Sequence, residues 1–255
     1  MVLSSHFEQL ETNRVLGAKE RSIIDRCTSN VYRKAKEQGF TPTLLTLKEE
    51  LLLQSEVEAK DLALSMELFT SGSLDTFAHP TNVDTNNRIV VYDISDLGAQ
   101  LKALGLLVVT DAMLNRVSRN WRLGKRTHVF IDELHVVFEN EYSANFFTSA
   151  WRRFRKRNAF PTGLTQNIEY LLASVDARTM LSNSEFIVMH NQAASERKES
   201  ADLLNISSQQ LSHVTNAPAG SGLLRVGHAI VPFVNKFPKD TKLYQLMTTK
   251  PNEQN

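Results

Sequence analysis

The chain has 255 residues, 42% hydrophobic and 22% charged, which gives enough interior for one large or two small globular domains. Its net charge of +1 gives no global field favouring nucleic acid or a membrane surface, and its longest apolar run, residues 104–109, is far short of the roughly 20 a membrane helix needs. Cys27 is the single cysteine and has no internal disulfide partner, and the first residues lack a signal-peptide pattern, so a cytosolic chain is expected.

Residues 1 to 72 read as helices. Ile23, Ile24, Cys27, Val31, Tyr32 and Ala35 recur at helical spacing and stop at Gly39, a C-cap. Thr41-Pro42 predicts the next helix start. Ser55 and Glu58 have the spacing of a capping box, ahead of an apolar stripe of Ala59, Leu62, Met66 and Phe69. That helix is expected to end near Ser71-Gly72, and residues 73–87 read as a loop or boundary.

From Arg88 the period changes. Residues 89–94 form a candidate strand, and Ser95 or Asp96 is expected to cap a long helix reaching Asn120, with Leu97, Leu101, Leu104 and Val108 on one face. Val129, Phe130 and Ile131 then make a short strand that runs into Asp132 and Glu133. Residues 143–157 predict a helix with Phe146, Phe147, Ala150, Trp151 and Phe154 along its apolar stripe. Residues 163–166 follow as a short strand ending on Thr165-Gln166. Helices at 168–172 and 177–181 lead to a strand at 185–189, then helices at 193–204 and 207–214. Strands at 223–226 and 229–233 and a helix at 243–247 close the chain. The alternation predicts an α/β sheet of mainly parallel strands over 86–255, preceded by an all-helical subdomain over 1–85. No internal repeat or low-complexity segment interrupts this pattern.

The chemistry gathers around the acidic strand. Two acids at a buried strand's C-terminal end sit where open α/β sheets bind ligands. In nucleotide hydrolases the first acid, here Asp132, holds Mg2+ through water, and the second, here Glu133, polarises the water that attacks the γ-phosphate. The other reading is a strand that ends in a solvated turn. Gln166 closes the next strand and can reach the same water or phosphate if the two strands run parallel.

Arg152, Arg153, Arg155, Lys156 and Arg157 lie among Trp151, Phe154 and Phe160. Three readings stay open: a solvated basic helix face, an arginine reaching a neighbouring subunit's nucleotide, or a contact to the DNA backbone. Arg178, at the start of a later helix, is a further candidate for the second of these. His128 and His135 flank the acidic strand and read as structural, and the seven histidines and one cysteine show no metal-ligand spacing. A phosphate-cradling Gly-x-x-x-x-Gly-Lys-Ser/Thr is absent: Gly124 precedes Lys125 but is followed by Arg126, and Gly220-Ser221-Gly222 has no lysine.

From Arg88 onward the chain resembles the C-terminal half of the VirB/TraE-type ATPases of conjugation and type IV secretion. The resemblance is carried by Val-Tyr-Asp-Ile-Ser-Asp-Leu at 91–97, Val-Phe-Ile-Asp-Glu at 129–133, Arg-Lys-Arg at 155–157 and Thr-Gly-Leu-Thr-Gln-Asn at 162–167. Met-Leu-Ser-Asn-Ser at 180–184, Asn191-Gln192, Gly-His-Ala-Ile-Val-Pro-Phe at 227–233, Phe-Pro-Lys-Asp-Thr at 237–241 and Met-Thr-Thr-Lys-Pro at 247–251 add to it in the same order.

The resemblance implies an incomplete RecA/FtsK/HerA-like P-loop NTPase domain working as a hexameric motor. It makes Asp132 and Glu133 the Walker B pair, Gln166 the sensor, and Arg155, Arg157 or Arg178 a finger acting on a neighbouring subunit. ATP and Mg2+ are the implied cofactors, both dependent on a P-loop supplied elsewhere. The implied partners are further subunits of the same ATPase and the channel and coupling proteins of a secretion complex, at the inner face of the plasma membrane. Family members carry the P-loop ahead of a helical insertion, to which residues 1–72 correspond, so the chain resembles a truncated gene, a split reading frame or a partial sequence. By the same resemblance the P-loop strand lies between the Gln166 strand and the strand at 185–189. Without it, those two strands are expected to be left with open edges or to pair directly. The alternative is a catalytically inactive remnant that assembles with, or poisons, complete subunits.

Overall fold

The computed structural model describes residues 16–139, 141–166, 168–191, 201, 206–215 and 217–248. Contacts divide the chain into two compact units, one up to Thr127 and one from His128. This division lies later than the compositional one at 85/86, because the long helix at 99–122 packs with the helical segment before it.

The first unit is helical. Helix α1 (Ala18–Gln38) begins where the Gly17 N–H donates to the Glu20 carboxylate at 2.7 Å. It ends at Gly39, whose φ of 77° is the left-handed conformation that glycine adopts without a Cβ clash. Helix α2 (Leu44–Leu52) is capped reciprocally by Thr43 and Thr46, two residues later than Thr41-Pro42 suggests. The capping box expected from Ser55 and Glu58 does not form: α3 (Val57–Ser65) starts after Glu56, and the Glu58 carboxylate meets Lys19 at 3.5 Å. The stripe of Ala59, Leu62, Met66 and Phe69 is buried, but Met66 breaks its helix in two, leaving α4 (Glu67–Thr70) as a separate turn.

Ile23, Ile24, Cys27, Leu47, Leu51 and Leu62 form the core of this bundle. Each buried aliphatic side chain contributes on the order of 2 kcal/mol, so packing outweighs the exposed ion pair of Arg26 with Glu56 at 2.6 Å. That contact holds the Glu56 carboxyl below its ordinary value. Glu50 is a buried acid satisfied from two sides, by Lys34 at 2.5 Å and Asn30 at 3.0 Å.

Helix α5 (Ala99–Arg122) starts at Gly98, three residues after Ser95, without a side-chain cap. Its buried aliphatic residues include Leu101, Leu104, Leu107 and Val117; Val108, assigned to that face from sequence, is exposed. The candidate strand at 89–94 is not formed. Ile89 and Val91 are 79% and 83% exposed, and the carbonyls of Thr85 and Asn87 just ahead are held by the Arg116 guanidinium. An alternating apolar run becomes a strand only when a neighbour takes up its backbone N–H and C=O groups, and no described strand does so here.

The second unit carries the sheets. Strands β1 (Thr127–Ile131) and β2 (Ala159–Gly163) form a two-stranded parallel pair. They are joined by a 3-10 turn (Leu134–Glu139), α6 (Glu141–Phe154) and a second 3-10 turn (Arg155–Arg157). Sequence placed the second strand at 163–166. Pro161 disguises its true span, because proline sits in a strand only on an edge where no ladder donor is needed. Phe147, Ala150 and Phe154 of α6 are buried together with Val129, Leu134, Val137 and Ala159.

Helices α7 (Ile168–Ala173) and α8 (Val175–Ser182) follow, the latter capped by Ser174. Strands β3 (Phe186–Met189), β4 (Ser221–Val226) and β5 (Ala229–Val234) make a separate antiparallel sheet in the order β3-β4-β5. Parallel pairing is thus confined to β1 and β2, and the expectation of a mainly parallel sheet is corrected for the last three strands. A short connection such as the Gly227-His228 turn joins antiparallel neighbours, whereas a parallel pair needs a long crossover. One face of this sheet buries Met189 and Leu223 against Val214, beside α9 (Ser208–Leu211). Helix α10 (Lys242–Met247) is capped by Thr241. The helix expected at 193–204 lies almost wholly outside the described residues.

Among the described residues β2 and β3 belong to different sheets and do not pair directly, each having one neighbouring strand.

Cys27 is fully buried, and burial pushes its thiol above the ordinary cysteine value. Both effects suppress thiolate attack. At pH 8 the folded chain should react with a disulfide reagent much more slowly than the urea-unfolded chain, which should titrate as one thiol; equal rates would show the helical core to be open.

Candidate functional site

The end of β1 is set by three residues. Ile131 accepts the backbone N–H of Leu164 at 2.8 Å, and Leu164 in turn accepts the N–H of Leu134 at 2.7 Å. The chain therefore crosses from β1 to the residue just past β2 and returns, looping out Asp132 and Glu133. Gly163 leaves room for this crossing, since a Cβ at that position would run into the Leu134 side chain.

Asp132 is exposed and accepts the Glu133 N–H on Oδ1 at 3.0 Å. Glu133 is half-buried and has a φ of 47°, the left-handed region, where a residue with a Cβ is strained. Its own carbonyl accepts the Val136 N–H at 3.0 Å, starting the 3-10 turn. The carboxylate oxygen Oε2 is buried without a hydrogen bond and lies 3.3 Å from Nδ1 of His135. The same Nδ1 lies 3.3 Å from Oγ1 of Thr165.

The loop bearing Asp132 and Glu133 after β1 is tied to Leu164 and Thr165 after β2, and Gln166, next in the chain, is exposed in a bend. His135, read from sequence as structural, is the side chain linking the two strand ends. The signal available was its position two residues after the acid pair, at the turn that brings the chain back. His128, by contrast, stacks on Phe160 at 5.1 Å on the open face of β1 and β2.

The arginines lie elsewhere. Arg155 and Arg157 sit in the turn before β2, at the strand end opposite Gln166, separated from it by a strand of roughly 15 Å. Arg155 is exposed and Arg157 half-buried. Arg178 is exposed in the first turn of α8, its backbone N–H donated to the Ser174 carbonyl at 3.1 Å.

Among the described residues no three His, Cys, Asp or Glu side chains are grouped as metal ligands. One exposed carboxylate with open solvent beside it suits a magnesium ion that keeps most of its waters, as Mg2+ does when substrate phosphates supply the remaining ligands.

No protein-family model matches the sequence, and no curated protein matches it. The structure superposes on VirB4 of Thermoanaerobacter pseudethanolicus with a TM-score of 0.77, over 94% of this chain and 69% of that one, at 20% sequence identity. The fold is that of a VirB4-type ATPase. Coverage this high takes in both units, so the helical part and the strand-bearing part each have counterparts in VirB4, and the strand-bearing part fits an incomplete RecA-like fold. Among the described residues no helix is long and apolar enough to cross a membrane.

The strain at Glu133 gives a measurable consequence. Substituting Glu133→Gly removes both the left-handed penalty and the unbonded buried oxygen, so it should stabilise the chain by about 1 kcal/mol, read as a higher urea midpoint. A lower midpoint would show that the carboxylate serves the fold.

Proposed function

We propose that this chain is part of an ATP-hydrolysing motor of type IV secretion or conjugative DNA transfer, supplying the acidic and polar edge of the nucleotide site while the phosphate cradle comes from outside these residues. The observation that carries the reading is the meeting of Asp132, Glu133, Thr165 and Gln166 at one edge, on a VirB4-type fold. Asp132 would hold a water of the Mg2+ shell, and the ion would neutralise charge developing on the transferred phosphoryl group. Glu133 would accept hydrogen bonding from the attacking water and orient it, and Gln166 would contact the same water or the γ-phosphate. Arg155, Arg157 or Arg178 would serve a neighbouring subunit's nucleotide, where a guanidinium offers a fixed charge and a forked donor set. Further subunits of the motor and the secretion channel at the inner membrane face are the expected partners, with DNA contact through Arg152–Arg157 a weaker one.

A second reading is favoured by the open edges of β2 and β3: an assembly module that joins complete subunits without turning over ATP itself.

The chain alone should bind a fluorescent ATP analogue more weakly than about 1 µM, a free energy of roughly −8 kcal/mol that needs the phosphate cradle. Tighter binding would place a cradle within these residues. Mixed with a fragment bearing Gly-x-x-x-x-Gly-Lys-Ser/Thr, it should hydrolyse ATP, and Glu133→Gln should lower kcat by about 10²-fold or more. A mixture that assembles but stays inactive would select the second reading.

A further inference from the structure

We infer that His135 is a positioning residue for Glu133, and that its ring passes one hydrogen bond between the acidic loop and the strand end bearing Gln166. This rests on Glu133 being the water-orienting carboxylate.

The geometry has three parts. Nδ1 of His135 stands 3.3 Å from both Glu133 Oε2 and Thr165 Oγ1. A ring nitrogen carries one proton, so Nδ1–H can be donated to one of these oxygens at a time. In the arrangement observed, Thr165 is the hydrogen-bond partner and Glu133 Oε2 is the buried oxygen left without one. A buried carboxylate oxygen in that condition is drawn toward any donor within reach. A small turn of the ring, or a small movement of Thr165, hands the bond over.

The backbone makes the exchange directional. Leu134 and Leu164 tie the two loops together through a main-chain bond, and Glu133, at a left-handed φ, holds its carboxylate 3.3 Å from His135 Nδ1. Thr165 directly precedes Gln166. When Gln166 moves with the state of the nucleotide, Thr165 moves with it and either accepts the Nδ1–H hydrogen bond or leaves it to Glu133. With the bond on Glu133, one carboxylate oxygen is fixed and the other is left to orient water. With the bond on Thr165, Glu133 is unrestrained.

The test has two arms. On the chain alone, nitrogen-15 NMR of the histidine rings should show His135 protonated on Nδ1, with its signal moved by both Thr165→Val and Glu133→Gln. A ring protonated on Nε2 alone, or one moved by neither substitution, overturns the inference. In the reconstituted ATPase, His135→Ala should lower kcat about tenfold with KM unchanged, as loss of an orienting partner does. His135→Asn, which keeps a donor near the Nδ1 position, should recover most of that loss. In the Glu133→Gln background His135→Ala should have no further effect. If the two losses multiply instead, His135 does not act through Glu133 and the inference falls. If Glu133→Gln leaves ATP turnover unchanged, the reading of Glu133 itself falls, whatever the NMR arm shows.

Discussion

Everything at the candidate site depends on two backbone hydrogen bonds, Leu164 N–H to Ile131 and Leu134 N–H to Leu164. They join the C-terminal ends of β1 and β2, which are separated in sequence by two 3-10 turns and a helix. Parallel strands cannot be joined by a tight turn, so the chain must return to the starting edge through α6 before β2 can begin. That return is what puts the acid pair and the Thr165-Gln166 pair at the same edge. Local sequence could not achieve this, because Asp132 and Gln166 lie more than thirty residues apart in the chain.

The strained backbone at Glu133 follows from this crossing. Leu134 points its N–H toward Leu164 immediately after Asp132 has left the strand, and the chain makes that turn through a left-handed residue at Glu133. Glycine would adopt that conformation without penalty, yet the position holds a glutamate whose carboxylate is partly buried beside His135. A costly conformation filled by a charged side chain is where stability has been given up for placement of a group.

The two units tell different physical stories. The helical unit is closed: its stripe residues are buried, its one buried acid is satisfied from two sides, and its thiol is inaccessible. The sheet unit is open. Among the described residues β2 and β3 each keep an unpaired side, and Phe130, Phe186 and Val188 are exposed on β1 and β3. Unpaired strand edges and exposed large apolar side chains are surfaces that a further strand or a partner chain can cover. The backbone fold is shared with VirB4, and the chemistry rests on the residues themselves.

The sequence by itself determined the helical character of the first unit, the acidic end of β1 and the existence of the last two strands. Each is a local matter: periodic apolar spacing, or a short β-branched and aromatic run. Only the tertiary structure decided the rest. It withheld a strand from 89–94, because pairing needs a neighbour that periodicity cannot supply. It moved β2 ahead of Thr165-Gln166, because an edge strand tolerates Pro161. It made the last three strands antiparallel, since sheet sense depends on connection and space. And it brought His135 between Glu133 and Thr165, a contact across some thirty residues that exists only after two chain ends have been folded to one edge.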